Sequence, residues 1–205
     1  MADGGPGSDR DAGTPPAADG GSAADPDAAI GPAPEAPIRF AASCPSFDPC
    51  GGDPEGTWQY VEACFVEAFA GLLEACPGAT VSDEVGTVQG TVFLRAGAIV
   101  RETRVHTAAT IAVPPSCAVA GCATVETLLG AGLDGVSCAP SAAGCSCDVS
   151  VTTDERESGT YTIAGPVLTT DSGQRYEFCA LDDELTYREI GDGASEDGTF
   201  ELERR

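Results

Sequence analysis

The sequence predicts a mainly β domain: an antiparallel up-and-down barrel or a strongly curved sheet, with one or two short helices, stapled by disulfides. Three observations carry that prediction. Short runs rich in β-branched and aromatic residues recur at even spacing through the last third of the chain, separated by Gly, Pro and Asp turns. Ten cysteines, at 44, 50, 64, 76, 117, 122, 138, 145, 147 and 179, form an even set spread over a small chain, the pattern of a disulfide framework in an oxidising compartment. The only tryptophan, Trp58, follows Gly56 by two residues, where a bent backbone lets the indole plug the end of a small barrel.

A chain of 205 residues holds one domain of ordinary size plus a tail. Residues 1–43 are dominated by Gly, Ala, Pro, Asp and Ser, and they are expected to form a disordered, self-repelling tether. Residues 44–205 then form a single β domain with a Cys-rich helical insertion near 114–147. Net charge is −23; residues 1–43 carry seven acids and two arginines, leaving 26 acids against eight arginines in the remainder. Such a surface repels polyanions, so nucleic acid is not an expected partner. Lysine and asparagine are absent, which removes N-glycosylation, lysine Schiff bases and the phosphate-loop lysine. No run approaches the roughly 20 apolar residues that span a bilayer. The start Met1-Ala2-Asp3-Gly4-Gly5 has no export signal, so a signal peptide is expected upstream, together with a lipid anchor if the protein is held at a membrane.

In chain order, Cys44 to Gly56 is a turn-rich loop and Thr57 to Phe65 reads as strand. Residues 65–75 fit a short helix that Pro77-Gly78 ends. Val92 to Val100 is the best hairpin signal, two apolar arms around Gly97. Its second arm runs to Val113 with Ile99, Thr103, Val105, Ala109, Ile111 and Val113 on the odd positions and Glu102, Arg104 and His106 on the even ones. Residues 121–134 put Val125, Leu128, Leu129 and Leu133 on one helical stripe. Strands follow at 148–153, 160–164, 167–170, 175–180, 185–190 and 199–202, with Glu-Arg-Glu-Ser-Gly as the first turn between them.

Gly56-Thr57-Trp58 resembles the Gly-x-Trp of lipocalins, in which the tryptophan closes the barrel base. The wider pattern resembles a group of uncharacterised bacterial secreted or lipoprotein domains. It comprises a Pro/Gly-rich leader, Cys-Gly-Gly-x-x-x-Gly-Thr-Trp from Cys50, Pro-x-Ser-Cys at 114–117, Cys-x-Cys at 145–147 and Gly-x-x-Tyr-x-Phe-Cys at 173–179. The resemblance implies a lipocalin-like fold and an extracytoplasmic address, secreted or lipid-anchored at the cell envelope, and supplies no activity. By the same likeness an arginine should stack on the tryptophan, and Arg188 is the candidate.

No catalytic constellation emerges, and no metal or cofactor is expected. Cys138, Cys145 and Cys147 lack the paired spacing of a zinc site, so the ten cysteines are assigned as staples. Cys117 with Cys122, Cys138 with Cys145 or Cys147, and Cys64 with Cys76 are plausible pairs. His106 is the sole histidine, and its row with Glu102 and Arg104 reads as a solvated outer face. The acids from Asp182 to Glu203 fail the calcium-loop register, with Ala194 and Asp197 at the wrong positions. The expected function is an exported, envelope-tethered, non-enzymatic monomer that binds a small apolar ligand or an envelope component. Trp58, Tyr60, Phe93, Val105 and Tyr176 are the candidate ligand-binding residues. The alternative is a structural or protein-interaction module with a filled barrel, and a hydrolase is the least favoured reading.

Overall fold

The computed structural model describes residues 33–66, 69–191 and 198–205. Ten strands form one sheet: β1 (Ala36–Phe40), β2 (Gly56–Phe65), β3 (Thr80–Arg95), β4 (Ala98–Val113), β5 (Gly135–Ser141), β6 (Gly144–Ala164), β7 (Val167–Thr170), β8 (Arg175–Leu181), β9 (Glu184–Ile190) and β10 (Gly198–Arg204). Two short helices, α1 (Ala70–Ala75) and α2 (Cys122–Leu129), complete the fold. The sheet curls until β4 meets β6, so hydrogen bonds run in a ring from β2 through β3, β4, β6, β7, β8, β9 and β10 back to β2. Antiparallel neighbours in this ring follow sequence order, with only the β5–β6 hairpin set aside, which is the expected up-and-down arrangement.

Local chemistry explains the tightest corners. At the β3–β4 hairpin Ala96 (φ 50°) and Gly97 (φ 79°) both take left-handed backbone, the geometry that matches the twist of a two-residue connection. At the start of β2, Gly56 (φ 153°) leaves room for Arg204, whose Nη1 would lie 2.6 Å from an added Cβ. That vacancy lets the guanidinium sit 4.4 Å from the centroid of the Trp58 ring.

Two apolar cores result. The first fills the ring and gathers Trp58, Tyr60, Val92, Leu94, Phe178 and Leu202, among others. The second lies where β3, β4 and β6 run on past the ring, under α1 and α2, and includes Phe69, Ile111, Val113, Val125 and Val149. All ten cysteines are paired, as Cys44–Cys64, Cys50–Cys179, Cys76–Cys117, Cys122–Cys145 and Cys138–Cys147. The last three staple the second core. The pairs Cys117 with Cys122 and Cys64 with Cys76 are not formed. Cys117 follows the end of β4 and joins the cysteine after α1, while Cys122 opens α2 and reaches β6. A metal-thiolate reading of Cys138, Cys145 and Cys147 is removed with them.

Several elements differ from the sequence expectation. The end of the presumed tether supplies β1, which pairs parallel with β2 and antiparallel with β3 where those two strands diverge. Residues 1–32 lie outside the described residues. The helix expected over 65–75 begins only at Ala70, because β2 continues to Phe65 on β10. The strands at 148–153 and 160–164 are one strand, since β4 pairs with β6 from Cys145 to Thr160 and gives Glu-Arg-Glu-Ser-Gly a ladder in place of a turn. β5 and the first half of β3 were not anticipated.

Removing the staples should have unequal effects. By chain entropy, Cys50–Cys179, with a separation of 129, is worth about 5 kcal/mol, and Cys138–Cys147, with a separation of 9, about 2.5 kcal/mol. Urea midpoints of the two paired Cys→Ala variants are expected to fall in that order.

Candidate functional site

The inner face of β4 sets the site, because alternate residues Ile99, Arg101, Thr103, Val105 and Thr107 point the same way. Four of these are compatible with an apolar or weakly polar interior. Arg101 is not, yet its side chain is only 8% exposed. The register places it between Val92 of β3 and Glu157 of β6. Its Nη2 donates to Glu155 at 3.2 Å, and its Nε stands 3.5 Å from Glu157 without hydrogen-bond geometry, so that buried N–H has no hydrogen-bond partner. The guanidinium also lies 5.3 Å from the Tyr176 ring centroid, within cation–π range.

Three tyrosines surround this charge. The Tyr60 hydroxyl shares hydrogen bonds with Thr103 (2.7 Å) and with the Tyr187 hydroxyl (2.9 Å). Tyr176 donates to Glu157 at 3.2 Å, and Ser172 donates to the other oxygen of the same carboxylate at 3.1 Å. Burial pushes Tyr60, Tyr187 and Tyr176 above the ordinary tyrosine value of 10.0, against the pull of Arg101. Burial works against the charge on Arg101, but arginine holds its proton firmly and the carboxylates of Glu155 and Glu157 stand beside it, so the guanidinium stays protonated.

Among the described residues the polar layer has a small void of the ring interior on either side. One, of about 30 Å³, is bounded by Val92, Leu94, Ile99, Phe178 and Leu185. The other, of about 20 Å³, is bounded by Val105, Thr153, Glu189 and Phe200. Arg101, Tyr176 and Tyr187 line both. Sites for small molecules generally measure roughly 300–1,000 Å³.

Of the residues singled out from sequence, Trp58, Tyr60 and Tyr176 lie in the ring core and Val105 packs against it. Trp58 has no exposed surface and donates from Nε1 to the Pro54 carbonyl at 2.8 Å. Phe93 is not brought to that interior. It alternates with Val92 and Leu94, pairs with Thr57 and Val100, and belongs to the opposite face of β3. The arginine over Trp58 is Arg204, not Arg188: β10 pairs with β2 so that Arg204 lies opposite Trp58. Arg188 alternates outward from Tyr187, donates to Glu177 at 2.8 Å and lies over Phe47. Arg101, the centre of the site, was missed, although a charge at an odd position of β4 was the signal.

The row Glu102, Arg104 and His106 is on the outer face, as its alternation implied. Glu102 pairs with Arg156 and Arg104 with Asp154, while His106 meets Thr152 at 3.2 Å. The two ion pairs border an open groove of about 460 Å³ that crosses β3, β4 and β6. Among the described residues no group of three His, Cys, Asp or Glu side chains is placed to hold a metal ion, and no helix is long and apolar enough to cross a membrane. Of the acids weighed for calcium, Asp192, Glu196 and Asp197 lie outside the described residues. No family model, curated protein or solved structure was found to match the chain.

Two outcomes test the polar layer. Arg101→Leu leaves the Glu157 carboxylate, whose side chain is 12% exposed, with its hydrogen bonds from Tyr176 and Ser172 but without its counter-charge, and is expected to cost about 3 kcal/mol in chemical denaturation. Adding Glu157→Gln should return part of that loss. All four tyrosines, Tyr161 included, are raised by burial first of all, so the unfolded chain loses these protons before the native one does. Their contribution to stability is intact below pH 10 and is lost as pH rises further. Phenolate absorbance should therefore appear well above pH 10 and together with unfolding, and in denaturant near the ordinary value.

Proposed function

We propose that this chain is an exported, non-enzymatic interaction module that works through its outer surface, with a ring interior occupied by its own side chains. The observation that carries this reading is the size of the interior voids, about 30 and 20 Å³, each roughly a tenth or less of what a small-molecule site requires. The Arg101 layer accounts for them, because it places a guanidinium and three tyrosines where an apolar ligand would have to sit. A carrier of small apolar molecules, the first expectation from sequence, finds less support in these dimensions.

Export is supported by the five disulfides, which persist in oxidising compartments and use every cysteine of the chain. Attachment at a cell envelope through the acidic, Pro-rich leader is the arrangement that fits an interaction module of this kind. The absence of an enzymatic role is part of the proposal. Its support is that the polar side chains of the interior bind one another, Tyr60 to Thr103 and Tyr187 and Arg101 to Glu155, beside interior voids of only about 30 and 20 Å³.

Native mass spectrometry of the oxidised protein tests the reading. The expected mass is that of the chain less ten hydrogens for its five disulfides, with no retained small molecule. A stoichiometric apolar adduct would restore the carrier reading.

A further inference from the structure

The ring wall has a gap on one side, and its two rims are finished in the same way. β6 is paired along one edge by β4 from Cys145 to Thr160. Its other edge is paired by β5 only over Gly144 to Ser150 and by β7 only over Tyr161 to Ala164. Between them, among the described residues, no strand faces the second edge. At the lower rim, Asp134 donates its N–H to the Ser150 carbonyl at 3.0 Å and accepts the Thr152 N–H on its carboxylate at 2.6 Å. At the upper rim, Asp171 donates its N–H to the Thr160 carbonyl at 2.9 Å and accepts the Thr160 N–H at 3.1 Å. Each aspartate stands in for the next rung of a ladder. The edge-facing backbone groups of Asp154 and Ser158 lie between the two caps, in a stretch from Thr152 to Thr160 about 26 Å long at 3.3 Å per residue.

The molecule already fills a splay of this kind once. β2 and β3 diverge, and the five-residue β1 enters between them, pairing Ile38 with Ala63 on one side and with Gly86 on the other. The β6 gap is the counterpart with no strand of the sheet in it. An exposed strand edge is usually blunted by charges that repel a newcomer. Here three of the acids are turned to other work: Glu155 and Glu157 face inward onto Arg101, and Arg104 holds Asp154 on the outer face.

The geometry points to this edge, Thr153 to Ser158 of β6, as a docking site for an extended segment of a partner protein that adds a strand and carries basic side chains. This deepens the proposed interaction role and rests on it. Main-chain hydrogen bonds would supply the affinity and alternate side chains the selectivity. Charge selects the occupant: the chain as a whole carries −23, so an extended segment bearing basic side chains is drawn to it and an acidic one is repelled. A second copy of a chain with net charge −23 is disfavoured by the same argument.

The test uses the full oxidised chain and an alternating Lys-Val octapeptide, with a Glu-Val octapeptide as control. By native-state amide exchange, Asp154 and Ser158 are expected to exchange at least 100-fold faster than Val149 and Val151, whose amides face β4. Saturation with the Lys-Val peptide should slow both at least tenfold, with chemical-shift changes centred on 154–158. N-methylation of one alternate set of peptide amides should abolish binding and of the other set should not, a result independent of how any protein variant folds. Ser158→Pro, which removes one edge donor, should lose binding with an unchanged near-ultraviolet circular dichroism spectrum. Slow exchange at Asp154 and Ser158 without peptide, shifts centred elsewhere, or equal binding of the Glu-Val peptide would overturn the proposal. A peptide-silent edge in protein free of adducts sinks the docking edge alone, whereas a retained apolar molecule sinks the filled-interior reading alone.

Discussion

The contact between Trp58 and Arg204 is the constraint on which the ring depends. Trp58 belongs to the first strand of the ring and Arg204 to the last, and their pairing on β2 and β10 joins the two ends of the meander. The indole is fully buried under the guanidinium, and Gly56 and the Pro54 carbonyl complete its surroundings. Arg204 also donates to the Glu55 carbonyl at 2.6 Å and ion-pairs with Asp183, so one side chain gathers the β1–β2 connection, the β8–β9 turn and the final strand. A sheet left open at this point would expose both edges and half of its core to water.

Once the ring is closed, its diameter sets a second condition. Inward positions must either fill the space or leave a cavity, and here they fill it with Tyr60, Tyr176, Tyr187, Phe200 and the extended side chain of Arg101. A buried guanidinium is costly unless its charge is answered, and Glu155 and Glu157 answer it from the neighbouring strand. The result is an interior specified by directional contacts, which narrows the ways in which this core can repack.

The disulfides divide their work between two bodies of the same sheet. Cys44–Cys64 and Cys50–Cys179 fasten the loops around the ring, the second across nearly the whole domain. The other three hold α1, α2 and β5 on the extension of β3, β4 and β6, where a short helix such as α2 has little stability of its own. The extension lengthens β6 past both of its partial partners, and the gap between β5 and β7 follows directly from that length.

The strand pattern, the Ala96-Gly97 hairpin, the cysteine parity and the inward placement of Trp58 were legible in the sequence, because each depends on neighbours a few residues apart. So was the inner face of β4, apart from the one residue that matters most on it: Arg101 broke the alternation, and its meaning required Glu157, which lies 56 positions later in the chain. The continuous β6, the entry of β1, the outward Phe93, the choice of Arg204 over Arg188 and the partner of each cysteine were decided only by the tertiary structure. Those features are pairings between distant strands, and a shift of one residue in register turns every side chain to the other face. Local sequence sets which segments extend; only the closed ring sets what each of them meets.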